Sequence, residues 1–190
     1  MGINKVGGIV GRRGCGKTTY VREKIILPYR QLKPKNKVLI VDTLDHPAYR
    51  DVPEINLSQL KRWKGANMYR IYGSETDEIF KAIASNLANA IVIFEDASKY
   101  IPSYSKLDPY VRKFIVDSKQ RNLDVLFLFH GYSHVCPELF SWLDFITIFK
   151  TLDTPEVRLK YIPYFLEMNA IYEHVNESDD AYIHKTLLTA

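Results

Sequence analysis

The chain reads as an α/β protein with a mostly parallel central sheet flanked by helices, and three observations carry that reading. Apolar runs of about five residues recur at 5–10, 38–41, 90–94, 125–129 and 145–149, the pattern of strands buried on both faces. Helical spacing fills the gaps between them, so strand and helix alternate as in a sheet of βαβ units. The 190 residues suit one domain or a little more, long enough to bury a real core.

Each element has its own local argument. The run 5–10 leads into a Gly-rich loop, and a helix over 18–27 follows. The run 38–41 is the second strand, and a minor strand is expected over 68–72, with a short helix at 57–62 before it. Ile79, Ile83 and Leu87 recur four apart behind a Ser74-x-x-Asp77 start, which predicts a helix over 76–87. Asp108-Pro109 opens a third helix, with Asp as N-cap and Pro in the first turn, and Val111, Phe114, Ile115 and Ser118 share its inner face. A short helix at 137–142 precedes the strand at 145–149. Residues 1–152 form the core of this reading and 153–190 a C-terminal extension of the same domain, with helical patterns at 156–161 and 164–175 broken by Pro163. That tail is where an oligomer contact is expected.

Composition removes several classes. At 46% hydrophobic and 25% charged residues the chain is neither disordered nor fibrous. Two cysteines, Cys15 and Cys136, without CxxC spacing give no disulfide framework and no zinc site, which makes a reducing compartment the default. No apolar run reaches the ~18 residues of a membrane span. A Gly-rich loop stands within residues 1–20, where a secretory leader would have its apolar stretch. A soluble intracellular protein is expected. The net charge of +4 permits a polyanionic partner without demanding one.

The strongest chemical signal is Gly11-Arg12-Arg13-Gly14-Cys15-Gly16-Lys17-Thr18, which matches G-x-x-x-x-G-K-[ST] between an apolar strand and a helix. Glycines let the backbone wrap a β-phosphate with its amides inward, and the helix N-terminus adds partial positive charge. Residues Gly11 to Thr19 are therefore the nucleotide-binding set. Lys17 would reach the β- and γ-phosphates of ATP, and the Thr18 hydroxyl would hold Mg²⁺. Cys15 is a small inert side chain in this loop, since reactivity needs a lowered thiol pKa.

Ile91-Val92-Ile93-Phe94-Glu95-Asp96 is an apolar strand ending in two carboxylates, as a Walker B strand does. Register gives Glu95 the metal and Asp96 the role of base on the attacking water. The common order is Asp then Glu, so the inverted pair leaves the two roles open to exchange. His130 closes the run 125–129. In P-loop ATPases with an extra strand between the P-loop and Walker B strands, a polar side chain at this tip senses the γ-phosphate, and His130 is the candidate, with Gly131 permitting a sharp turn after it.

The P-loop, Val38-Leu39-Ile40-Val41-Asp42 with Tyr49 soon after, the Glu95-Asp96 strand, and Arg121-Asn122-Leu123-Asp124 running into a strand with a polar tip together resemble the FtsK/HerA superfamily. The nearest likeness within it is to small viral genome-packaging ATPases and Zot-like phage ATPases, over about residues 5–152. The resemblance implies a RecA-like core and ATP sites between subunits of a homo-oligomeric ring. It also implies Mg-dependent ATP hydrolysis that pumps DNA, here a viral genome, with capsid proteins as further partners. The location would be the cytoplasm of a host cell or the virion. Members place an arginine finger ahead of the sensor strand; Arg121 matches that position and Arg112 is the runner-up. Basic clusters at Lys33-Lys35-Lys37, at Lys61-Arg62-Lys64 beside Trp63, and at Arg112-Lys113 through Lys119-Arg121 are of the kind that contacts DNA phosphates in a pore. The second is the best pore-loop candidate.

Other P-loop classes fit less well. A nucleotide kinase normally carries paired arginines in a lid, and no Arg-rich lid stands between Pro102 and the C-terminus. A GTPase needs Asp-x-x-Gly and Asn-Lys-x-Asp, and neither occurs. A nucleotide-gated binding module with little turnover is the reading left by the inverted Glu95-Asp96 pair.

Overall fold

A computed structural model describes residues 4–43, 45–73, 76–103, 106–155, 159–160, 162 and 164–189. Strands β1 (Val6–Val10), β2 (Lys37–Asp42), β3 (Met68–Tyr72), β4 (Ala90–Phe94), β5 (Leu123–Phe129), β6 (Phe145–Phe149) and β7 (His184–Leu188) form one seven-stranded sheet in the order β3-β2-β4-β5-β1-β6-β7. Each neighbouring pair is parallel except β6 and β7. The expected α/β architecture is present, and β5 lies between β1 and β4.

Helices cover both faces. Alternate strand residues point to opposite sides, and the core divides accordingly. Val92, Phe94, Val125, Phe127 and Phe129 pack against Ile79, Phe80 and Ile83 of α2 (Thr76–Asn86) and Val111, Phe114 and Ile115 of α3 (Pro109–Gln120). Ile91, Ile93, Leu126 and Leu128 pack on the other face against Val21, Ile25, Ile26 and Tyr29 of α1 (residues 17–32). A parallel strand sandwiched this way cannot alternate polar and apolar residues, which is why β4 and β5 read as unbroken apolar runs. Asp108 caps α3 as expected, its Oδ1 accepting from the Tyr110 amide at 2.8 Å.

Helix α1 departs from its sequence pattern. The apolar spacing closes at Leu27, but the helix runs on to Leu32 through a π-helical stretch, Val21–Ile26. Pro28 explains the wide turns: its ring would collide with a carbonyl four residues back in an α-helix, and it has no N–H to donate. The remaining α-helices among the described residues are the short α4 (Pro137–Phe140) and α5 (Phe165–Glu177). Residues 57–62 form a 3₁₀ helix held by a capping box between Asn56 and Gln59. Ser74, and most of the helical pattern expected at 156–161 with Pro163 after it, lie outside the described residues.

The C-terminal tail adds a strand that sequence patterning did not suggest. β7 is an exposed edge strand of mixed polarity, paired antiparallel with β6 through Thr147 and Thr186, whose hydroxyls lie 2.9 Å apart. Among the described residues no helix is long and apolar enough to cross a membrane, and Cys15 and Cys136 are both buried thiols.

Candidate nucleotide site

Three strands deliver the site to one edge of the sheet. Val10 is in register with Phe129, and Phe94 with Phe127, so the residues that follow β1, β4 and β5 emerge together at the carboxyl ends of the strands. That edge is where parallel α/β sheets bind ligands. Arg13, Gly14, Gly16, Lys17, Thr18, Thr19, Glu95, Asp96 and His130 line one cavity of about 580 Å³ there.

The loop after β1 is anchored on both sides: the Gly11 amide donates to Phe129 O at 3.1 Å and the Arg12 amide to Lys150 O at 2.7 Å. Two of its glycines are required for different reasons. Gly16 has φ 90°, a left-handed conformation costly for other residues. At Gly11 the constraint is space, because a Cβ would stand 2.5 Å from Phe149 Cβ and 2.8 Å from Cys15 Sγ. Gly11→Ala should therefore destabilise the protein by about 2 kcal/mol through overpacking. A denaturant midpoint equal to that of the native chain would contradict the close approach.

Lys17 turns back onto its own loop, donating to Gly11 O at 2.5 Å and Arg12 O at 2.9 Å. Burial lowers its pKa, against the opposing pull of Cys15, Glu95 and Asp96. The Cys15 thiol is pushed up by burial, which matches an inert role. Arg12, Arg13 and Gly14 are exposed at the loop's outer rim.

Beside the loop, the Thr18 hydroxyl donates to Glu95 Oε1 at 2.7 Å and the Tyr49 hydroxyl to Glu95 Oε2 at 3.1 Å. Burial raises the Glu95 pKa, and those two donors together with His46 and Lys17 oppose the shift. A buried carboxylate beside a hydroxyl is an oxygen donor pair suited to a hard divalent cation. Asp96 sits behind it with φ 53°, an unusual conformation for a residue with a side chain. The Ser98 hydroxyl donates to Asp96 Oδ1. His130 Nε2 is 3.8 Å from that same oxygen, while its Nδ1 is buried without a partner among the described residues. Burial, then the charge of Lys17, lowers the His130 pKa, with Asp96 opposing, which favours the neutral ring.

Gly131 is needed for a reason other than a sharp turn. Its φ of −178° is extended backbone. A Cβ there would meet the Asp153 carboxylate at 2.6 Å, and Asp153 Oδ2 accepts from both the amide and the hydroxyl of Ser133 at 2.8 Å. The strand tip bearing His130 is thus tied to the segment after β6.

Four further residues build the site beyond those the sequence assigns to it. Asp42, at the end of β2, is fully buried and lines the cavity, and its Oδ2 accepts from the His46 amide at 2.8 Å. His46 also lines the cavity; its Nδ1 accepts from the Ala48 amide at 3.2 Å, which leaves the ring proton on Nε2 when the ring is neutral. Buried Arg70 ties this wall together, donating to Asp42 Oδ2 at 3.5 Å, Asp45 Oδ1 at 2.7 Å and Glu54 Oε1 at 2.7 Å. Tyr182, from the segment before β7, closes the opposite wall. The usable clue was Asp42 at the carboxyl end of a buried strand.

The two arginines singled out as finger candidates are not at this site. Arg121 follows α3 and precedes β5, and its Nη1 donates to Ser85 O at 3.2 Å. It stands at the amino end of a seven-residue strand whose far end carries His130, about 20 Å away at the usual rise per residue. Arg112 is held by Glu138 Oε1 at 2.6 Å. Of the basic clusters, Lys33 is paired with Asp124 at 2.6 Å. Lys61, Arg62 and Lys64 are exposed, but Trp63 points inward, 7% exposed and edge-on to Tyr69 at 5.0 Å. Lys61 and Arg62 close the short helix at 57–62 and Lys64 follows it, with the buried Trp63 anchoring the segment between them.

The fold recurs in solved structures. The genome packaging NTPase B204 from Sulfolobus turreted icosahedral virus 2, in complex with ATP-gammaS, superposes with a TM-score of 0.76 over 97% of this chain and 92% of that one. The chain has the fold of a genome-packaging NTPase. The likeness is one of architecture, at 16% sequence identity. B204 from Sulfolobus Turreted Icosahedral Virus, described as a DNA-packaging ATPase, matches at TM-score 0.71 and 14% identity over 98% of both chains. The pCW3 conjugation coupling protein TcpA with ATPgS matches at TM-score 0.60 and 10% identity, over 98% of this chain and 58% of that one. No family model and no curated protein matches the chain.

Proposed function

We propose that this chain is a magnesium-dependent ATPase that translocates DNA, packaging a viral genome as a ring of subunits with ATP sites at their interfaces. The observation that carries the ATPase reading is the Thr18 to Glu95 hydrogen bond of 2.7 Å beside a buried Lys17. The Thr18 hydroxyl and the Glu95 carboxylate are the oxygen pair that a bound Mg²⁺ would use. Bound Mg²⁺ would offset the charge that develops on the terminal phosphates. Thr18 and Glu95 would hold it, and Lys17 would leave its loop carbonyls for the phosphate oxygens. Asp96 would accept the proton of the attacking water, and neutral His130, 3.8 Å from it, would report on the γ-phosphate.

DNA as the moved polymer is supported by the packaging and conjugation functions of the similar folds. A net charge of +4 is small for one subunit to grip a duplex, which favours shared contacts in a ring. The setting is the cytoplasm of an infected cell or the virion, with capsid proteins as docking partners. The deciding experiment is ATP turnover with and without DNA, read beside the mass in solution. Stimulation should appear only at concentrations where oligomers form, and should fade steeply between about 50 and 200 mM salt. Turnover indifferent to DNA but raised by a nucleoside monophosphate would make the protein a kinase instead.

A further inference from the structure

We propose that Tyr182 is the base platform of the nucleotide site, a ring on which the nucleobase stacks without regard to its hydrogen-bonding edge. This rests on the reading that the cavity holds a nucleoside triphosphate. Strand order then fixes the direction in which that ligand lies. Along the sheet edge the sequence is β4, β5, β1, β6, β7. The carboxylates that define the γ-phosphate end follow β4, and His130 follows β5. The phosphate loop follows β1. A triphosphate seated on that loop with its terminal phosphate toward Asp96 and His130 must send its nucleoside the other way, toward β6 and β7. Tyr182 stands there, two residues ahead of β7 and in the wall of the same cavity.

Its surroundings are those of a platform instead of a core residue. The ring lies over the loop, with Cδ1 3.1 Å from where a Gly16 Cβ would be, so glycine at that position leaves the ring room. Tyr182 is 65% exposed, and no aromatic ring packs on it among the described residues. It is nevertheless held in place. Its amide donates to Asp180 Oδ1 at 2.9 Å. Two residues on, the His184 ring stacks on Phe149 at 4.7 Å and meets Tyr20 edge-on at 4.5 Å. An exposed aromatic face on a fixed turn beside a phosphate loop has little to gain from the empty protein and much from a planar heterocycle, since every base has a π-face. Stacking carries no donor and acceptor pattern, so adenine and guanine should be held alike.

Titration of the wild-type chain, Tyr182→Ala and Tyr182→Phe with three Mg-loaded probes separates the possibilities: ATPγS, GTPγS and inorganic tripolyphosphate. Tyr182→Ala should weaken ATPγS and GTPγS each by about tenfold, the usual size of one base-aromatic stack. It should leave tripolyphosphate within twofold, and Tyr182→Phe should match wild type for all three. Unchanged ATPγS affinity in Tyr182→Ala would overturn the proposal. So would an equal loss for tripolyphosphate, which would make the ring a prop for the phosphate loop. If none of the probes binds the wild-type chain, the nucleotide reading itself fails.

Discussion

Lys17→Ala should lower ATP turnover by about a thousandfold while the protein stays folded. The ammonium is a buried positive charge, whereas Arg12 and Arg13 on the same loop are exposed, so its field is the least screened of the three. Removing it deletes charge stabilisation that grows as the terminal phosphoryl departs. The folded state loses much less. Among the described residues the ammonium bonds to Gly11 O and Arg12 O, and burial already lowers its pKa, so its charged form is costly to keep there. The net structural effect is about 1 kcal/mol. Phosphate release measured beside the thermal midpoint checks both halves. Full turnover in the mutant would remove the P-loop from the mechanism.

What could be read from the amino-acid order, and what could not, follows from where each signal resides. Residues 11–18 were legible because a phosphate cradle is contiguous and its residue types are few. β4 and β5 were legible because burial on both faces forces apolar runs. The opposite wall was not. Arg70 meets Asp42 through the β2 and β3 pairing, from 28 residues away in the chain. β7 escaped for a different reason: an exposed edge strand has no buried face to imprint a pattern, so His184–Leu188 looks like any polar tail. Tyr182 escaped with it. Gly131 suggests a turn but serves the close approach of Asp153, and the helix expected to close at Leu27 runs on to Leu32 past Pro28. Trp63 misled because an aromatic among cations suggests a pore loop, yet the same residue type suits a buried anchor.

Arg121→Ala should cost as much turnover as Lys17→Ala, about a thousandfold, but only in the assembled protein. The geometry within one subunit forbids a direct role, since the strand that ends at His130 begins beside Arg121, about 20 Å away. A finger role for Arg121 would therefore need the γ-phosphate of a neighbouring subunit. Its present hydrogen bond, to Ser85 O at 3.2 Å on the exposed end of α2, is one that a guanidinium can exchange for a phosphate oxygen at little cost. Arg112 is less free to do so, being paired with a carboxylate at 2.6 Å. The mutant should bind ATPγS as tightly as wild type, because its own site is intact. Mixing inactive Arg121→Ala with inactive Lys17→Ala should restore activity, since a Lys17-containing site can then face an Arg121-containing neighbour. Two inactive proteins that stay inactive when mixed, under conditions where mass measurement shows mixed rings, would exclude the finger role. Loss of ATPγS binding by the isolated mutant subunit would place Arg121 in its own site, against the strand geometry.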